Sequence, residues 1–476
     1  MPRFDVDTAG FRDQQKGREP FRIIQEIFAN SFDEKTAKNI SASIFYSTGS
    51  KKLLYVHVTD DGDGFKRIQD VYTLFGRSEK IENPEQRGRW NLGEKQFFAL
   101  AEKATIETSG KHIEFSEDTR TEVDKKTTGT MIEAWFRFET NCLDEIMRKL
   151  NLLIVPQDKH LVINGKTIST KKPIRRFSAV LTTLQPSKSD PRVLIHTNRT
   201  TTIAAYEPSS EAWLFEMGIP IQPIECLWSL DVQQKVPLSP NRDTVSDQYL
   251  KKLYSEVVNN MHNLIPKEEA GKNFVTLGLG GATAASAKDI LSKRFDSNSV
   301  VLRSADYRAN EAAMEDGAFV VPDGVFDTDT RKHLKEVGVA NYAAELYKTE
   351  FVAAKPVSVA PEMQCFARFV NEIAIDTIAR QVECVFISAE SDTVAQYSRA
   401  SGTMTFNVGH KNVRGPRWFV IPTVENLGTV IHELSHHDSE SGNGLSHLTT
   451  DFVYEQERIA ATIALKGAQY YWDKSA

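Results

Sequence analysis

Between Phe21 and about Ala37 the apolar residues Ile23, Ile24, Ile27, Phe28 and Phe32 recur at helical spacing. At about 100° per residue they spread over one broad side, while Glu26, Asn30 and Asp33 cluster opposite; Pro20 suits the first turn, where its missing N–H costs nothing. Lys52–Thr59 then alternates apolar and polar residues as a half-buried strand and runs into Asp60-Asp61-Gly62-Asp63-Gly64-Phe65. An apolar run at 96–101 predicts a helix after Gly88-Arg89-Trp90-Asn91-Leu92-Gly93-Glu94-Lys95, and Met131–Phe136 a strand after Thr128-Gly129-Thr130. Asn164-Gly165 between two short strand runs is a hairpin signature. Strand-like runs at 192–196 and 202–205 precede a helix predicted over 245–265. Val300–Leu302 and Phe319–Val321, with helical patterns between them, suggest a small α/β module. Near the C-terminus, Thr403–Val408 reads as an exposed edge strand and Trp418–Ile421 as a second strand. Leu427, Val430, Ile431 and Leu434 then share one side of a helix, and another helix is predicted from Phe452 to about Leu465.

At 476 residues and 53.5 kDa the chain exceeds one comfortable core, so two to four domains are expected. The pattern divides it into segments 1–170, 171–268, 269–355 and 356–476, of α/β and α+β character. Hydrophobic residues at 40% and charged residues at 26% exclude long disorder or a fibre. A net charge of -6 gives no overall attraction to polyanions. The cluster Lys171-Lys172-Pro173-Ile174-Arg175-Arg176 could still touch nucleic acid or acidic protein, or serve as a solvated linker. Four scattered cysteines fit a reducing compartment, and no run approaches a membrane span, so a cytoplasmic protein is expected. Four of the eleven histidines fall between 432 and 447.

Two glycines in DxGxG permit a tight turn and close approach of backbone to a ligand, and a carboxylate ending a strand can accept a hydrogen bond from a base's exocyclic amine. A glycine-containing loop opening a helix offers N–H groups to phosphate oxygens. In order and spacing, residues 15–170 resemble the GHKL ATPases, the group of DNA gyrase, MutL, histidine kinases and the ninety-kilodalton heat-shock chaperones. The resemblance implies a Bergerat-type α/β sandwich binding ATP and Mg2+. Glu26 would polarise the attacking water, Asn30 would hold magnesium, and Asp33 would complete the ExxxNxxD helix. Asp60 would read the adenine amine with Gly62 and Gly64 beside it, Gly88 and Gly93 would stand for the lid glycines, and Thr130 would match the threonine of the last motif. Trp90 and Asn91 replace a dense glycine cluster, and Lys95 is the residue that could supply charge the backbone does not. The family's transducer domain, with its glutamine-x-lysine loop, is similar to the segment around Gln233-Gln234-Lys235 and Arg242, making Lys235 or Arg242 the cation for the γ-phosphate. Members of this family dimerise on ATP binding, so a homodimer is expected.

His432-Glu433-Leu434-Ser435-His436 places two imidazoles slightly more than one helical turn apart, so both can bind one divalent ion, with Glu433 placed to take a proton from metal-bound water. With the turn-rich 439–445 and His447, residues 360–470 resemble zincin metallopeptidases. That implies Zn2+ held by His432, His436 and His447, and Glu433 as general base in peptide hydrolysis. Asp451, Glu455 or Glu457 could replace His447, and His437 is left over. The combined reading is a GHKL ATPase with transducer, joined to a zinc metallopeptidase whose cleavage of a protein substrate is nucleotide-gated. The competing reading is a chaperone- or MutL-like machine remodelling protein or DNA, its zinc domain purely structural.

Overall fold

In the computed structural model, α1 (Thr8–Gln15) is capped by Asp7, whose carboxylate accepts the Ala9 N–H at 3.0 Å, and α2 (Pro20–Asp33) carries the first amphipathic pattern. The described residues are 7–475 except 49–51, 77–78, 89–91, 117–118, 139–141, 191–192, 209, 240–242, 305–306, 348–354, 390–392, 400, 414, 421–422 and 438–449. The chain divides into two compact units, Met1–Asn260 with Lys272–Gly278, and Met261–Gly271 with Leu279–Ala476.

α2 stops at Asp33, short of the predicted Ala37. Lys159 explains this: its ammonium donates to the carbonyls of Glu34 at 2.6 Å and Ala37 at 2.7 Å, drawing those residues out of the helix. The first sheet contains β1 (Asn39–Tyr46), β2 (Leu54–Asp60), β3 (Ala101–Thr108), β4 (Lys111–Ser116), β5 (Thr119–Asp124), β6 (Thr130–Phe136), β7 (His160–Ile163) and β8 (Lys166–Ile168), ordered β5-β4-β3-β6-β2-β1-β7-β8. Pairing is antiparallel except between β1 and β7, and Asn164-Gly165 turns the β7–β8 hairpin with both φ positive. Alternate residues of β1 and β2 (Ile40, Ala42, Ile44; Leu54, Val56, Val58) are buried in one core with the apolar side of α2, with α3 (Gly93–Leu100) and with α4 (Cys142–Leu150). Each fully buried Ile or Phe there contributes about 1.5–3 kcal/mol.

A second sheet follows, ordered β12-β11-β13-β10-β9, from β9 (Arg175–Pro186), β10 (Leu194–Tyr206), β11 (Trp213–Glu216), β12 (Ile219–Pro223) and β13 (Ser229–Val232). Residues 194–196 of the first strand-like run and 202–205 of the second belong to the single strand β10, and Arg192 lies outside the described residues. Ile219 enters the first core, and the buried Arg22 guanidinium of α2 donates to the Pro220 carbonyl at 2.8 Å and to that of Ile221. Next come α5 (Asp247–Met261), ending in a 3-10 turn at His262–Leu264, and α6 (Asn273–Gly278).

In the second unit, Thr283 caps α7 (Ala284–Phe295). The strands β14 (Val300–Leu302) and β15 (Phe319–Val321) pair in parallel around α8 (Tyr307–Glu315), before α9 (Thr328–Glu336) and α10 (Ala343–Leu346). The remainder comprises β16 (Lys355–Pro356), α11 (Pro361–Ile378), β17 (Glu383–Ser388), β18 (Ala395–Ser398), β19 (Thr403–Asn407), α12 (Val424–Leu434) and α13 (Thr450–Ser475). The sheet order is β16-β17-β19-β18, so β19 is an inner strand and β18 the edge, contrary to the sequence reading. Trp418 and Phe419 lie in a 3-10 turn rather than a strand. Their rings pack against Phe366 and Phe406, and the Trp418 carbonyl accepts the Asn426 side-chain amide at 2.9 Å. The chain is therefore a mixed α/β protein, and among the described residues no helix is long and apolar enough to cross a membrane.

Candidate functional site

In the first unit, the polar side of α2 meets the end of β2 and the start of α3. At Gly93 a β-carbon would collide with Glu26 Oε2 and lie 3.0 Å from its Cδ, so only glycine lets the Glu26 carboxylate rest against the positive end of α3. One turn on, the Asn30 side-chain amide donates to Glu94 Oε2 at 3.3 Å, and its oxygen accepts from Lys80 Nζ at 3.5 Å. Asp33, on the same side of α2, is engaged differently. It is buried against Arg87, which reaches it with the guanidinium at 2.7 Å and the backbone N–H at 3.1 Å, so Asp33 holds the segment after Lys80 in place.

Asp60 ends β2 with Oδ2 accepting the Ser31 hydroxyl at 2.8 Å and Oδ1 accepting the Gly62 N–H at 3.1 Å. Burial pushes its carboxyl above the usual carboxylate range, against the pull of those two bonds. Gly62 and Gly64 are both spatially required. A β-carbon at 62 would sit 2.5 Å from Glu34 Cγ, and one at Gly64, whose φ is +81°, would sit 2.5 Å from Thr108 Oγ1. Thr130 pairs with Asp60 across β2 and β6, and its hydroxyl lies 3.2 Å from that of Thr108.

Lys95 is buried, paired with Glu94 at 2.5 Å and bonded to the Asp70 carbonyl; burial lowers its pKa. Lys235 is also fully buried, and its ammonium donates to the backbone carbonyls of Lys80 at 2.6 Å and Ile81 at 2.9 Å. Gly88 packs against the stem of Lys80, whose Cδ would be 2.7 Å from a β-carbon there. Arg242 and residues 89–91, including Trp90 and Asn91, lie outside the described residues. Sequence reasoning passed over Ser31, Lys80, Arg87 and Glu94. Lys80 closes the short polar run Gly76-Arg77-Ser78-Glu79-Lys80, and Glu94 is an acidic residue in a first helical turn; nothing local marks Arg87. Of the basic cluster, Lys171 donates to the Leu152 carbonyl at 3.1 Å and Arg175 to that of Asn260 at 2.5 Å, which occupies two of its charges structurally.

In the second unit, Thr423 and Asn426 cap α12 reciprocally: the Thr423 hydroxyl accepts the Asn426 N–H at 3.2 Å, and the Asn426 side chain accepts the Thr423 N–H at 2.6 Å. The helix ends at Leu434, so His436 stands in the following turn rather than on the helix. The imidazoles of His432 and His436 are still neighbours, with centroids 5.3 Å apart, and Phe452 of α13 packs on both. With Glu433, Glu311 and Glu425 they line a cavity of about 570 Å³. Glu433 is buried, and its Oε2 accepts the Tyr397 N–H of edge strand β18 at 2.9 Å; His437 Nδ1 lies 3.3 Å from the Tyr397 hydroxyl. Glu455 is paired with Arg458 at 2.7 Å, and Asp451 and Glu457 are exposed. His447 lies outside the described residues, among which no three His, Cys, Asp or Glu side chains converge as a metal set.

No protein-family model matches the sequence, and no curated protein does. Among solved structures, the chain is similar to the ATPase region of Saccharomyces cerevisiae topoisomerase II at 16% identity and a TM-score of 0.29, covering 42% of this chain and 62% of that one. It is also similar to the N-terminal domain of a DNA repair protein, at 12% identity, TM-score 0.30, and coverage of 50% and 92%. A third is the ATPase and transducer domains of DNA topoisomerase II from Balamuthia mandrillaris, at 13% identity, TM-score 0.29, and coverage of 54% and 70%. The match spans less than two thirds of the first of these chains. Likeness this slight neither fixes a family nor carries an activity across.

Proposed function

We propose that the first unit binds and hydrolyses ATP in the manner of the GHKL group, with Glu26 polarising the attacking water, Asn30 holding Mg2+ and Asp60 reading the adenine amine. The convergence of these three residues supports the reading: Glu26 rests on Gly93, Asn30 is bonded to Glu94 of the same helix, and Asp60 is fixed by Ser31 of α2. The donor set fits its ligands. The Asn30 amide oxygen with the neighbouring Glu94 carboxylate is the hard oxygen pair that Mg2+ takes, and an ionised carboxylate is acceptor-only, matching an exocyclic amine. Mg2+ and ATP, when bound, bring the phosphoryl group and the cation that offsets its charge. Glu26 orients water at the start of α3, and the α3 N-terminus and Lys80 set a positive field around it, the Lys95 charge being spent on Glu94. A homodimer formed on ATP binding belongs to the same reading. The test is nucleotide affinity and phosphate release by the parent, Glu26→Ala and Asp60→Asn, with molar mass measured with and without a non-hydrolysable ATP analogue. ATP bound by Glu26→Ala without turnover is the expected result, and a parent chain that binds no adenine nucleotide would end the proposal.

The adjacent His432 and His436 rings over an acidic cavity favour a second reading for the other unit, a zinc peptidase with His447 as third ligand and Glu433 as general base acting on a protein substrate. Zinc analysis of the parent and of His432→Ala, with mapping of new termini in lysate with and without ATP and chelator, separates the outcomes. Zinc-dependent cleavage that responds to ATP supports a nucleotide-gated peptidase. Stoichiometric zinc without cleavage supports the remodelling ATPase with a structural zinc domain.

A further inference from the structure

We propose that Lys80, rather than Lys235, is the cation that meets the nucleotide's phosphates, and that Lys235 acts by holding the Lys80 backbone in place; this rests on the ATP-binding reading above. The resemblance gives the γ-phosphate to Lys235 or Arg242, but the Lys235 ammonium is fully buried and donates to the carbonyls of Lys80 and Ile81. A lysine spent on two carbonyls in a site without solvent is a tether. Its own backbone is fixed as well: the Lys235 N–H donates to the Pro84 carbonyl at 2.8 Å, and its carbonyl accepts the Thr183 hydroxyl at 2.7 Å.

Lys80 is placed differently. Its side chain is 29% exposed, and its ammonium lies 3.5 Å from Asn30 Oδ1 and 3.5 Å from Asp33 Oδ2. Asp33 is held more closely by the buried Arg87 at 2.7 Å, so Lys80 is the outer and more exposed of its two cations. The Asn30 oxygen that Lys80 touches is the one that would hold magnesium, and a bound divalent ion would displace the ammonium from it. A partly exposed ammonium at this position would meet the phosphate oxygens of a bound nucleotide as anions of opposite charge. Gly88 keeps this geometry by allowing the backbone to lie on the Lys80 stem.

Besides the contacts of Arg87 and Gln86 with α2, the second sheet grips this segment. Arg199 of β10 pairs with Glu85 at 2.7 Å, and Arg87 donates to the carbonyl of Met217, between β11 and β12. The second sheet thus reaches the phosphates through residues 80–87.

The experiment compares binding of ATP and of adenosine, calorimetrically and without turnover, for the parent, Lys80→Gln, Lys80→Arg, Lys235→Met and the double variant Lys80→Gln/Lys235→Met. The parent is expected to prefer ATP. Lys80→Gln should lower that preference roughly tenfold to hundredfold, the worth of one charge-assisted contact, with adenosine affinity unchanged, while Lys80→Arg retains it. Lys235→Met should lower the preference too, but add nothing once Lys80 is Gln, because it acts through that residue. Additive losses, or a preference that survives Lys80→Gln and disappears in Lys235→Met, would overturn the inference while leaving ATP binding intact. If the parent binds neither ligand, the ATP-binding reading itself has failed. Should Lys235→Met not fold, the Lys80→Gln and Lys80→Arg pair decides alone.

Discussion

The Glu26 carboxylate rests on the backbone of Gly93, so closely that a β-carbon at 93 would stand 3.0 Å from Glu26 Cδ and 3.2 Å from its Cβ. Gly93→Ala must rotate Glu26 away from the start of α3. Displacement of a catalytic group by about 1 Å costs on the order of a hundredfold in rate. On the proposed ATPase reading, steady-state hydrolysis by Gly93→Ala is therefore expected to fall about that far in kcat, with KM for ATP changed much less. An unchanged kcat would separate Glu26 from the chemistry.

Arg87 and Asp33 form a buried pair at 2.7 Å, and Arg87 also donates to the Ala29 carbonyl at 3.1 Å. Removing one member of such a pair costs about 3–5 kcal/mol, and the partly exposed Lys80 ammonium, 3.5 Å from Asp33, compensates the carboxylate only weakly. Arg87→Met should lower the unfolding free energy of the first unit by that amount in urea titration. Arg87→Met/Asp33→Leu should recover much of the loss, because the orphaned carboxylate is gone. If the single variant is as stable as the parent, Asp33 is not held by this contact in solution.

These relationships show what the sequence could and could not reveal. Helical period placed Glu26, Asn30 and Asp33 on one side of α2, and alternation ran β2 into Asp60, because each signal lies within one element. The end of α2 was misplaced because its cause, the Lys159 ammonium on the Glu34 and Ala37 carbonyls, lies more than a hundred residues away. Lys235 was legible as a lysine near a loop but not as a tether, since its partners are backbone carbonyls that no residue type announces. In the second unit, HExxH marked His432 and His436 by spacing alone; that α12 stops at Leu434 depends on local capping and on packing against α13.

On the proposed reading Asp60 would combine adenine recognition with a desolvated charge. Its raised pKa means that its contribution to stability is full below the ordinary carboxylate range and is lost as pH rises through the higher folded value. Asp60→Asn removes that loss, so the variant is expected to gain stability relative to the parent between pH 4 and pH 7. Its ATP affinity should fall about tenfold or more, since an amide replaces a charged acceptor. Thermal melts at several pH values and calorimetric ATP titration check both halves. A variant that is destabilised at neutral pH and still binds ATP fully would contradict them.

Asp231 of β13 offers a stability test independent of any ligand. It is 2% exposed; burial pushes its carboxyl up to about 6, although the Gly218 N–H at 2.8 Å and the Gln233 side chain at 2.6 Å favour the ionised form. Below about pH 4 folded and unfolded chains both carry the proton, and the group makes no demand. Between there and about pH 6 the unfolded chain ionises first, so folding is progressively penalised, and above that the penalty is full at roughly 3 kcal/mol. The first unit should therefore lose stability across this window. Asp231→Asn retains an acceptor for Gly218 and has no charge to bury, so it is expected to flatten the profile, costing about 1 kcal/mol at pH 4 and being more stable than the parent at pH 7. Urea midpoints at both values measure the difference. Parallel profiles for parent and variant would mean that the carboxyl ionises in the folded chain as readily as in the unfolded one.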